Sequence, residues 1–248
     1  MTKSIIITGG FGFIGTSLCA YLNAKGIVPY ILELQDEIEE KWRGFSGLKF
    51  ILLDSVDRLN DIDGPISIVH LGARVDTREK MSRELWTNNV TLTLDLFKAA
   101  QEYQLLDRFI YASSGSVYGN EERDFTERIE GLRPTNAYAA TKLALDTYFD
   151  AVKPKIKTYG LRFFNVAGGR EGHKGDMSSL IYKGLMKQSP FYRDGKWRLF
   201  KSCRHDILDG EQKRDFVAVE DAGAKLDKAE DIGVLALSER EFLKLLKK

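Results

Sequence analysis

The sequence predicts an α/β fold in which a doubly wound parallel sheet carries helices on both faces. Two observations lead to this prediction. Short apolar runs alternate with amphipathic, helix-spaced stretches along most of the 248 residues, and the first run enters a glycine cluster that is followed by a helical pattern. Strands interleaved with helices form parallel sheets. Right-handed crossovers then place a ligand crevice at the carboxyl ends of the strands.

The individual elements follow from hydrophobic periodicity. Strands are predicted at Ile5–Thr8, Pro29–Glu33, Lys49–Leu53, Ser67–Leu71, Arg108–Ala112 and Lys157–Phe163, and helices at Gly15–Lys25, Met81–Tyr103 and Ala137–Val152. No internal repeat or low-complexity segment interrupts the alternation.

Composition and charge exclude several classes of protein. Apolar residues make up 43% of the chain, which is enough for a substantial core. The net charge is +1 and no long basic run occurs, so nucleic acid is not an expected partner. Neither the two cysteines nor the three histidines have metal-site spacing, and no metal is expected. With no signal-peptide pattern and no membrane-spanning run, we expect a soluble, cytoplasmic protein without a membrane partner.

The glycine cluster predicts a phosphate site. Gly9, Gly12 and Gly15 are spaced three residues apart between the first strand and the first helix, with Phe13 and Ile14 inside the same turn. The first glycine permits a sharp turn, the second admits a pyrophosphate to the backbone amides, and the third allows close helix packing. In this strand–turn–helix context the pattern favours a nucleotide site over a plain structural turn. The fold class is therefore a Rossmann-type sheet.

An acidic residue at the end of the second strand bears on the choice of cofactor. Glu33 lies 18 residues after Gly15, where a carboxylate can hydrogen-bond the adenosine ribose hydroxyls. A carboxylate there would repel a 2′-phosphate, so NAD is favoured over NADP. Asp36 competes for this role, and an ordinary surface glutamate is the alternative interpretation.

Three further residues predict acid–base chemistry. Tyr138 and Lys142 are four residues apart on a predicted helix, so both lie on one face. An ammonium beside a phenol stabilises the phenolate and lowers its pKa from about 10, which makes the tyrosine a general base or acid. Ser114, in the segment SSGSVYG, can hydrogen-bond the same substrate oxygen. Each pattern alone is weak, but together with the glycine turn they predict a catalytic set.

With these motifs in place, the chain resembles the extended short-chain dehydrogenase/reductase superfamily from Lys3 to Ala224. Its members act on nucleotide-activated sugars as epimerases, dehydratases, decarboxylases or reductases, with NAD or NADP as cofactor. The resemblance implies that Tyr138 removes the hydroxyl proton while hydride leaves carbon for the nicotinamide. It implies that Lys142 lowers the Tyr138 pKa and holds the nicotinamide ribose, and that Ser114 orients the oxygen.

The same resemblance implies further cofactor contacts. The implied residues are Asp54 and Ser55 after the third strand, Leu71, Gly72 and Ala73 after the fourth, and Asn89, which in relatives helps to hold strand and cofactor loop together. His70 is interpreted as a buried structural histidine rather than a catalyst.

One stretch narrows the resemblance to the ADP-glyceromanno-heptose 6-epimerases, which invert C6″ of an ADP-linked heptose. It consists of REGHKG at 170–175, a small-residue helix start, and KRDFV at 213–217. The resemblance implies Lys174 as a second acid/base beside Tyr138. It also implies substrate contacts from Ser113, Ser114, Asn165, His173, Lys174 and Arg214. A solvated loop at 172–175 and a surface ion pair at Arg214 are the alternatives.

We expect a cofactor domain at 1–168 and a smaller substrate lobe at 169–248. Relatives continue through further strand and helix units after the KRDFV segment, so this lobe is expected to be shortened, with a capped helix at Ser238–Lys248 and a polar segment at Trp197–Glu211. Three functions remain open: a heptose 6-epimerase, another sugar-nucleotide epimerase or reductase, and a non-catalytic NAD(P)-binding relative. A homo-oligomer built on helix pairs is also a possibility that the residues leave open.

Overall fold

The structure is a computed structural model of the chain. It describes residues 4–33, 47–102, 106–119 and 125–169, together with 171, 172, 174, 178, 179, 182, 183, 192, 193, 196, 197, 213–220, 222 and 235–238. Residues 192, 193, 196, 197, 213–216 and 235–238 are described by their backbone alone. The chain divides into two units, Met1–Phe163 and Phe164–Lys248, and each is described by itself.

A six-stranded parallel sheet forms the centre of the first unit. Its strands are β1 (Ser4–Thr8), β2 (Tyr30–Leu32), β3 (Ile51–Leu53), β4 (Ile66–His70), β5 (Leu106–Ser114) and β6 (Lys157–Phe163). The strand order is β3-β2-β1-β4-β5-β6, and every neighbouring pair is parallel. The order reverses between β1 and β4, which is where a doubly wound sheet opens its ligand crevice. The predicted fold class is confirmed.

Helices flank this sheet close to the predicted positions. They are α1 (Phe13–Ala24), α2 (Arg83–Trp86), α3 (Leu92–Glu102) and α4 (Ala137–Val152). The single helix predicted from Met81 begins at Arg83, because the Ser82 side chain caps it by accepting a hydrogen bond from the Leu85 amide at 3.0 Å. Between α2 and α3 the helix widens into a π-helical turn, Thr87–Thr91, a feature that is frequent at functional sites.

An aromatic cluster fixes α3 and α4 to the sheet. Phe97 of α3 lies 5.1 Å from Phe109 of β5 and 5.0 Å from Phe149 of α4, measured between ring centroids. The Phe149 ring also lies 5.0 Å from that of Tyr111. Because all four side chains are buried, α4 is anchored through its last turns while its first turns carry Tyr138 and Lys142.

The second unit contains a smaller sheet and a hairpin. Strands β7 (Asn165–Ala167), β10 (Lys213–Ala218) and β11 (Leu235–Ser238) form one sheet in the order β11-β10-β7, with β10 parallel to β7 and antiparallel to β11. Strands β8 (Tyr192–Arg193) and β9 (Lys196–Trp197) form the hairpin. Ser238, the predicted helix cap, ends β11, and the rest of the predicted helix lies outside the described residues. So does the polar segment after Trp197.

Two further features of the described residues bear on membrane crossing and on the role of a cysteine. Within the described residues, no helix combines the length and the apolar character that crossing a membrane requires. Cys19 of α1 is fully buried, and burial raises the pKa of its thiol to about 12, so this residue belongs to the core.

Candidate active site

The glycine turn lies between β1 and α1 and is sterically closed to larger residues. Gly9 has a φ of +63°, and a Cβ atom there would lie 2.7 Å from the Gly72 nitrogen. A Cβ atom at Gly15 would lie 2.7 Å from the Cα atom of Gly10. The turn closes through a hydrogen bond of 3.0 Å from the Gly12 amide to the Gly9 carbonyl. Glycine is therefore required both by the backbone angle and by the close approach of the segment after β4.

The amino end of α1 is open to an anion. Gly12 is the N-cap, no side chain caps the helix, and no acidic residue occupies its first turn. The Thr16 hydroxyl donates to the Gly12 carbonyl at 2.7 Å, which holds the cap residue in place without covering the amides. A helix start without a side-chain cap or an acidic residue, together with the narrow glycine turn, fits the pyrophosphate of a dinucleotide.

The other predicted cofactor residues follow the carboxyl ends of neighbouring strands. Glu33 follows β2 and donates its amide to the Leu53 carbonyl at 3.2 Å, while Leu71, Gly72 and Ala73 follow β4. Asp54 and Ser55 follow β3, and the exposed Asp54 carboxylate lies 3.7 Å from the Arg58 guanidinium. The sheet thus brings these positions to one edge, as parallel strands in this order require.

His70 links the glycine turn to the π-helical turn through buried hydroxyls. Its Nδ1 lies 2.7 Å from Thr8 Oγ1, and its Nε2 lies 2.8 Å from Thr93 Oγ1. Because the Thr93 hydroxyl donates to the Asn89 carbonyl at 2.8 Å, it accepts from Nε2–H, and Nδ1 accepts from Thr8. Burial, and next the charge of Lys142, lower the His70 pKa to about 3, so the ring is neutral. The predicted burial of His70 is confirmed.

Asn89 joins the segment after β4 to the helix that carries Tyr138. Its side chain is fully buried, accepts from the Arg74 amide at 2.8 Å and donates to the Arg74 carbonyl at 3.0 Å. It also donates to Thr141 Oγ1 at 3.1 Å, and that hydroxyl donates to the Tyr138 carbonyl at 2.7 Å. This geometry agrees with a residue that holds the cofactor loop, and direct cofactor contact remains a prediction.

The structure brings Ser114, Tyr138 and Lys142 together. Ser114 ends β5, and its side chain is hydrogen-bonded to the Tyr138 side chain. Tyr138 lies in the first turn of α4, which begins where Asn136 accepts a hydrogen bond from the Ala139 amide at 2.8 Å. Lys142 is 2% exposed, and its Nζ lies 5.8 Å from the centroid of the Tyr138 ring. The phenol of Tyr138 thus has a hydroxyl and an ammonium close to it, an arrangement that proton transfer by a phenol would require.

The pKa values of this set differ from the expectation in one respect. Burial raises the pKa of Tyr138, and the Ser114 hydrogen bond offsets this only in part. The predicted lowering by Lys142 is not observed, since burial raises the pKa of the phenol and the opposing contribution comes from Ser114. Burial lowers the Lys142 pKa to about 8, against an opposing contribution from Asp146. Lys142 is thus mostly charged at pH 7.

A second lysine in the other unit is paired with a buried carboxylate. Lys174 Nζ lies 3.6 Å from Oε2 of Glu171, which is fully buried. Glu171 also accepts from the Gly168 amide at 3.1 Å and from the Ser179 amide at 2.5 Å. Burial lowers the pKa of Lys174, and Glu171 opposes that shift. Sequence reasoning named Lys174 but missed Glu171, whose burial no local pattern indicates.

The structure describes only some of the other predicted substrate residues. Ser113 is buried, and its hydroxyl has no hydrogen-bond partner within the described residues. Asn165 is exposed at the start of β7, and Arg214 is in β10 with only its backbone described. His173 lies outside the described residues. Among the described side chains, no group of three or more His, Cys, Asp or Glu is arranged to hold a metal ion.

The fold and these residues are typical of a class: enzymes that bind a dinucleotide cofactor. The model of the NAD dependent epimerase/dehydratase family matches residues 5–229. The chain belongs to this family, and its cofactor is NAD or NADP.

Individual relatives narrow the class further. The chain is 37% identical to ADP-L-glycero-D-manno-heptose-6-epimerase of Alkalilimnicola ehrlichii over 88% of this chain and 68% of the relative. The enzyme of that name from Pseudomonas paraeruginosa is 36% identical over 88% of this chain and 66% of the relative.

Solved structures of epimerases have the same fold as this chain. The Helicobacter pylori enzyme of that name superposes with a TM-score of 0.74 at 25% identity, covering 99% of this chain and 81% of that chain. UDP-glucose 4-epimerase from Brucella ovis in complex with NAD shares the fold, with a TM-score of 0.73 at 22% identity over 98% of this chain and 81% of that chain. These relatives place the chain among the sugar-nucleotide epimerases.

Proposed function

We propose that the chain inverts C6″ of an ADP-linked heptose, through oxidation of that carbon to a ketone and reduction on the opposite face. The observation that carries the proposal is the contact of the Tyr138 and Ser114 side chains beside the buried Lys142. Two relatives at 36% and 37% identity bear the name of ADP-heptose epimerases, which supports this sugar nucleotide over others.

NAD or NADP, held by the glycine turn between β1 and α1 and by Lys142, would supply a hydride acceptor and donor. Tyr138 takes the proton of the C6″ hydroxyl, and Ser114 donates a hydrogen bond to the same oxygen. Lys142 stabilises the phenolate by its charge, which lowers the cost of deprotonating a buried phenol. On re-reduction the oxygen lies in its second orientation and takes its proton from another group, while Tyr138 returns the first proton to solvent, so protons and electrons balance over the cycle.

Inversion also demands an acid/base group for the oxygen in its second orientation, since the ketone must present both faces to one hydride donor. We assign this role to Lys174, whose pKa is already lowered by burial. Ser113, Asn165, His173 and Arg214 are proposed to bind the substrate, with the Arg214 guanidinium suited to the diphosphate. The second unit is accordingly the proposed substrate lobe. Glu33 is proposed to favour NAD over NADP.

The experiment that tests this function is NMR of the purified protein with ADP-D-glycero-D-manno-heptose in deuterated buffer. We expect inversion at C6″ with no net change of NADH absorbance, because hydride leaves and returns within one active site. The Tyr138→Phe variant should bind NAD and lose turnover. Net accumulation of NADH would indicate an oxidoreductase, and NAD binding without any inversion would contradict the proposed substrate.

A further inference from the structure

A buried carboxylate, Asp146, lies one helical turn beyond Lys142 on α4. It is 6% exposed and forms two hydrogen bonds to other elements of the unit. Its Oδ1 accepts from the Tyr111 hydroxyl of β5 at 2.9 Å, and its Oδ2 accepts from Arg162 Nε of β6 at 2.9 Å. Asp146 is therefore a fixed negative charge between the catalytic helix and the sheet.

The neighbouring strand is shaped to admit this contact. Gly160 of β6 pairs with Tyr111 of β5, and a Cβ atom at Gly160 would lie 2.5 Å from Tyr111 Cζ. Any side chain at this position would displace the Tyr111 ring. The phenol consequently reaches Asp146 across the space that the glycine leaves, and burial raises the Tyr111 pKa, so its hydroxyl stays a donor.

Arg162 extends the contact to the segment that follows Ser114. Its Nη1 donates to the Tyr118 hydroxyl at 3.1 Å and to the Thr126 carbonyl at 3.0 Å. The Tyr118 hydroxyl itself donates to the Thr126 carbonyl at 2.9 Å. One guanidinium thus connects α4, through Asp146, to the chain on the far side of the catalytic serine.

The charge of Asp146 acts on Lys142. Both residues lie on one face of α4, and the carboxylate raises the pKa that burial lowers. Without that charge, a lysine this deeply buried would favour its neutral form. Lys142 interacts with His70 of β4 and with Tyr138 and Asp146 of α4. The Asp146 carboxylate in turn contacts Tyr111 of β5 and Arg162 of β6.

We propose that Asp146, held by Tyr111 and Arg162, is a positioning residue that keeps Lys142 cationic beside Tyr138. Arg162 shares the carboxylate and thereby limits how strongly it acts on Lys142. The two ends of this ion pair consequently have opposite effects on one lysine. The proposal rests on the proposed function only where turnover is measured.

A purely structural ion pair makes a different prediction. Breaking it from either side would destabilise the fold, since each break leaves a buried charge without its partner. It would not move the titration of Lys142 in opposite directions. The direction of that titration, and not stability, is therefore the decisive measurement.

The test is NMR titration of protein labelled with ¹³C at lysine Cε, with the Lys142 signal assigned by its loss in Lys142→Met. We expect a wild-type midpoint near pH 8. In Asp146→Asn the midpoint should fall by about one pH unit, because the stabilising charge is removed. In Arg162→Met it should rise, because the carboxylate is then less neutralised. Tyr111→Phe is the matched control, since it removes a hydrogen bond from Asp146 and no charge.

An unchanged midpoint in Asp146→Asn, or a fall in Arg162→Met, would overturn the proposal. If Asp146→Asn does not fold, the rise in Arg162→Met against an unchanged Tyr111→Phe still decides. The titration needs no substrate, so it remains valid should the ADP-heptose assignment fail. With turnover in hand, the alkaline limb of the pH profile of kcat/KM should move in the same directions as the midpoint.

Discussion

Two lysines, the buried Lys142 in one unit and the partly buried Lys174 in the other, lie near carboxylates that are supported in different ways. The carboxylate that raises the pKa of Lys142 is Asp146, and it is held by the Tyr111 and Arg162 side chains from two strands of the large sheet. The carboxylate that raises the pKa of Lys174 is Glu171, and it accepts hydrogen bonds from backbone amides only a few residues away. The first carboxylate is fixed by tertiary structure and the second by its own loop. The carboxylate beside a lysine can therefore be fixed from a sheet or from a self-contained turn.

The largest expected effect is a loss of turnover on replacing either lysine, and the affinity for NAD should distinguish the two variants. Lys142→Met and Lys174→Met should each lower kcat by about 10²–10⁴-fold, the range that general acid–base groups contribute. Only Lys142→Met should also weaken NAD binding, because Lys142 is the one expected to hold the nicotinamide ribose. Calorimetric titration with NAD measures this, and the exposed Lys155→Met is the matched control. Equal NAD affinities in the two variants would remove the distinction.

The next effect concerns the local support of Lys174. Glu171→Gln places an amide NH₂ against backbone donors and should cost about 3 kcal/mol in the free energy of unfolding. It should also lower the pKa of Lys174, since Glu171 raises it. Denaturant unfolding measures the first and the alkaline limb of kcat/KM the second. Ser178→Ala, which removes only the hydrogen bond of 2.8 Å to the Glu171 carbonyl, should leave the limb in place.

A smaller effect follows from the lowered pKa of Lys142. The pKa of Lys142 is about 8 in the fold and 10.5 for a lysine in the unfolded chain, so between these pH values the unfolded chain binds more protons. Stability attributable to Lys142 should therefore rise with pH in this window, by about 2 kcal/mol from pH 8 to about 9.5. The measurement is the free energy of unfolding of wild type relative to Lys142→Met across this range. If the difference in the free energy of unfolding stayed constant with pH, the pKa of Lys142 would not be lowered in the fold.

The smallest expected effect concerns Glu33, which lies outside both lysine sites. A substitution there should change the preference for NAD over NADP without changing the rate of turnover. Glu33→Ala should improve the affinity for NADP relative to NAD by about tenfold, since a repulsion worth roughly 1.4 kcal/mol is removed. Turnover at saturating cofactor should change little. Binding titrations with both cofactors measure the ratio, and an unchanged ratio would transfer the role to another residue.

The alternation of apolar runs was sufficient to predict the six strands of the large sheet, because their side chains report burial directly. The Ser114, Tyr138 and Lys142 set was equally visible, since each residue belongs to a motif with fixed spacing. Asp146 and Arg162 were missed although Asp146 lies four residues after Lys142. Their pairing depends on the packing of α4 against the sheet, and no local pattern encodes that packing. Gly160 is likewise informative only once Tyr111 is known to be its neighbour.

The hydrogen-bonded chain through His70 has a consequence for how the protein changes over evolutionary time. Each group in it donates in one direction, from Thr8 to His70, from His70 to Thr93, and from Thr93 to the Asn89 carbonyl. Replacing the Thr8 hydroxyl by an aliphatic group would leave a buried ring nitrogen without a donor. Lineages that lose one of these three side chains are therefore expected to replace the adjoining one as well. Residues far apart in the sequence would then be inherited as a unit.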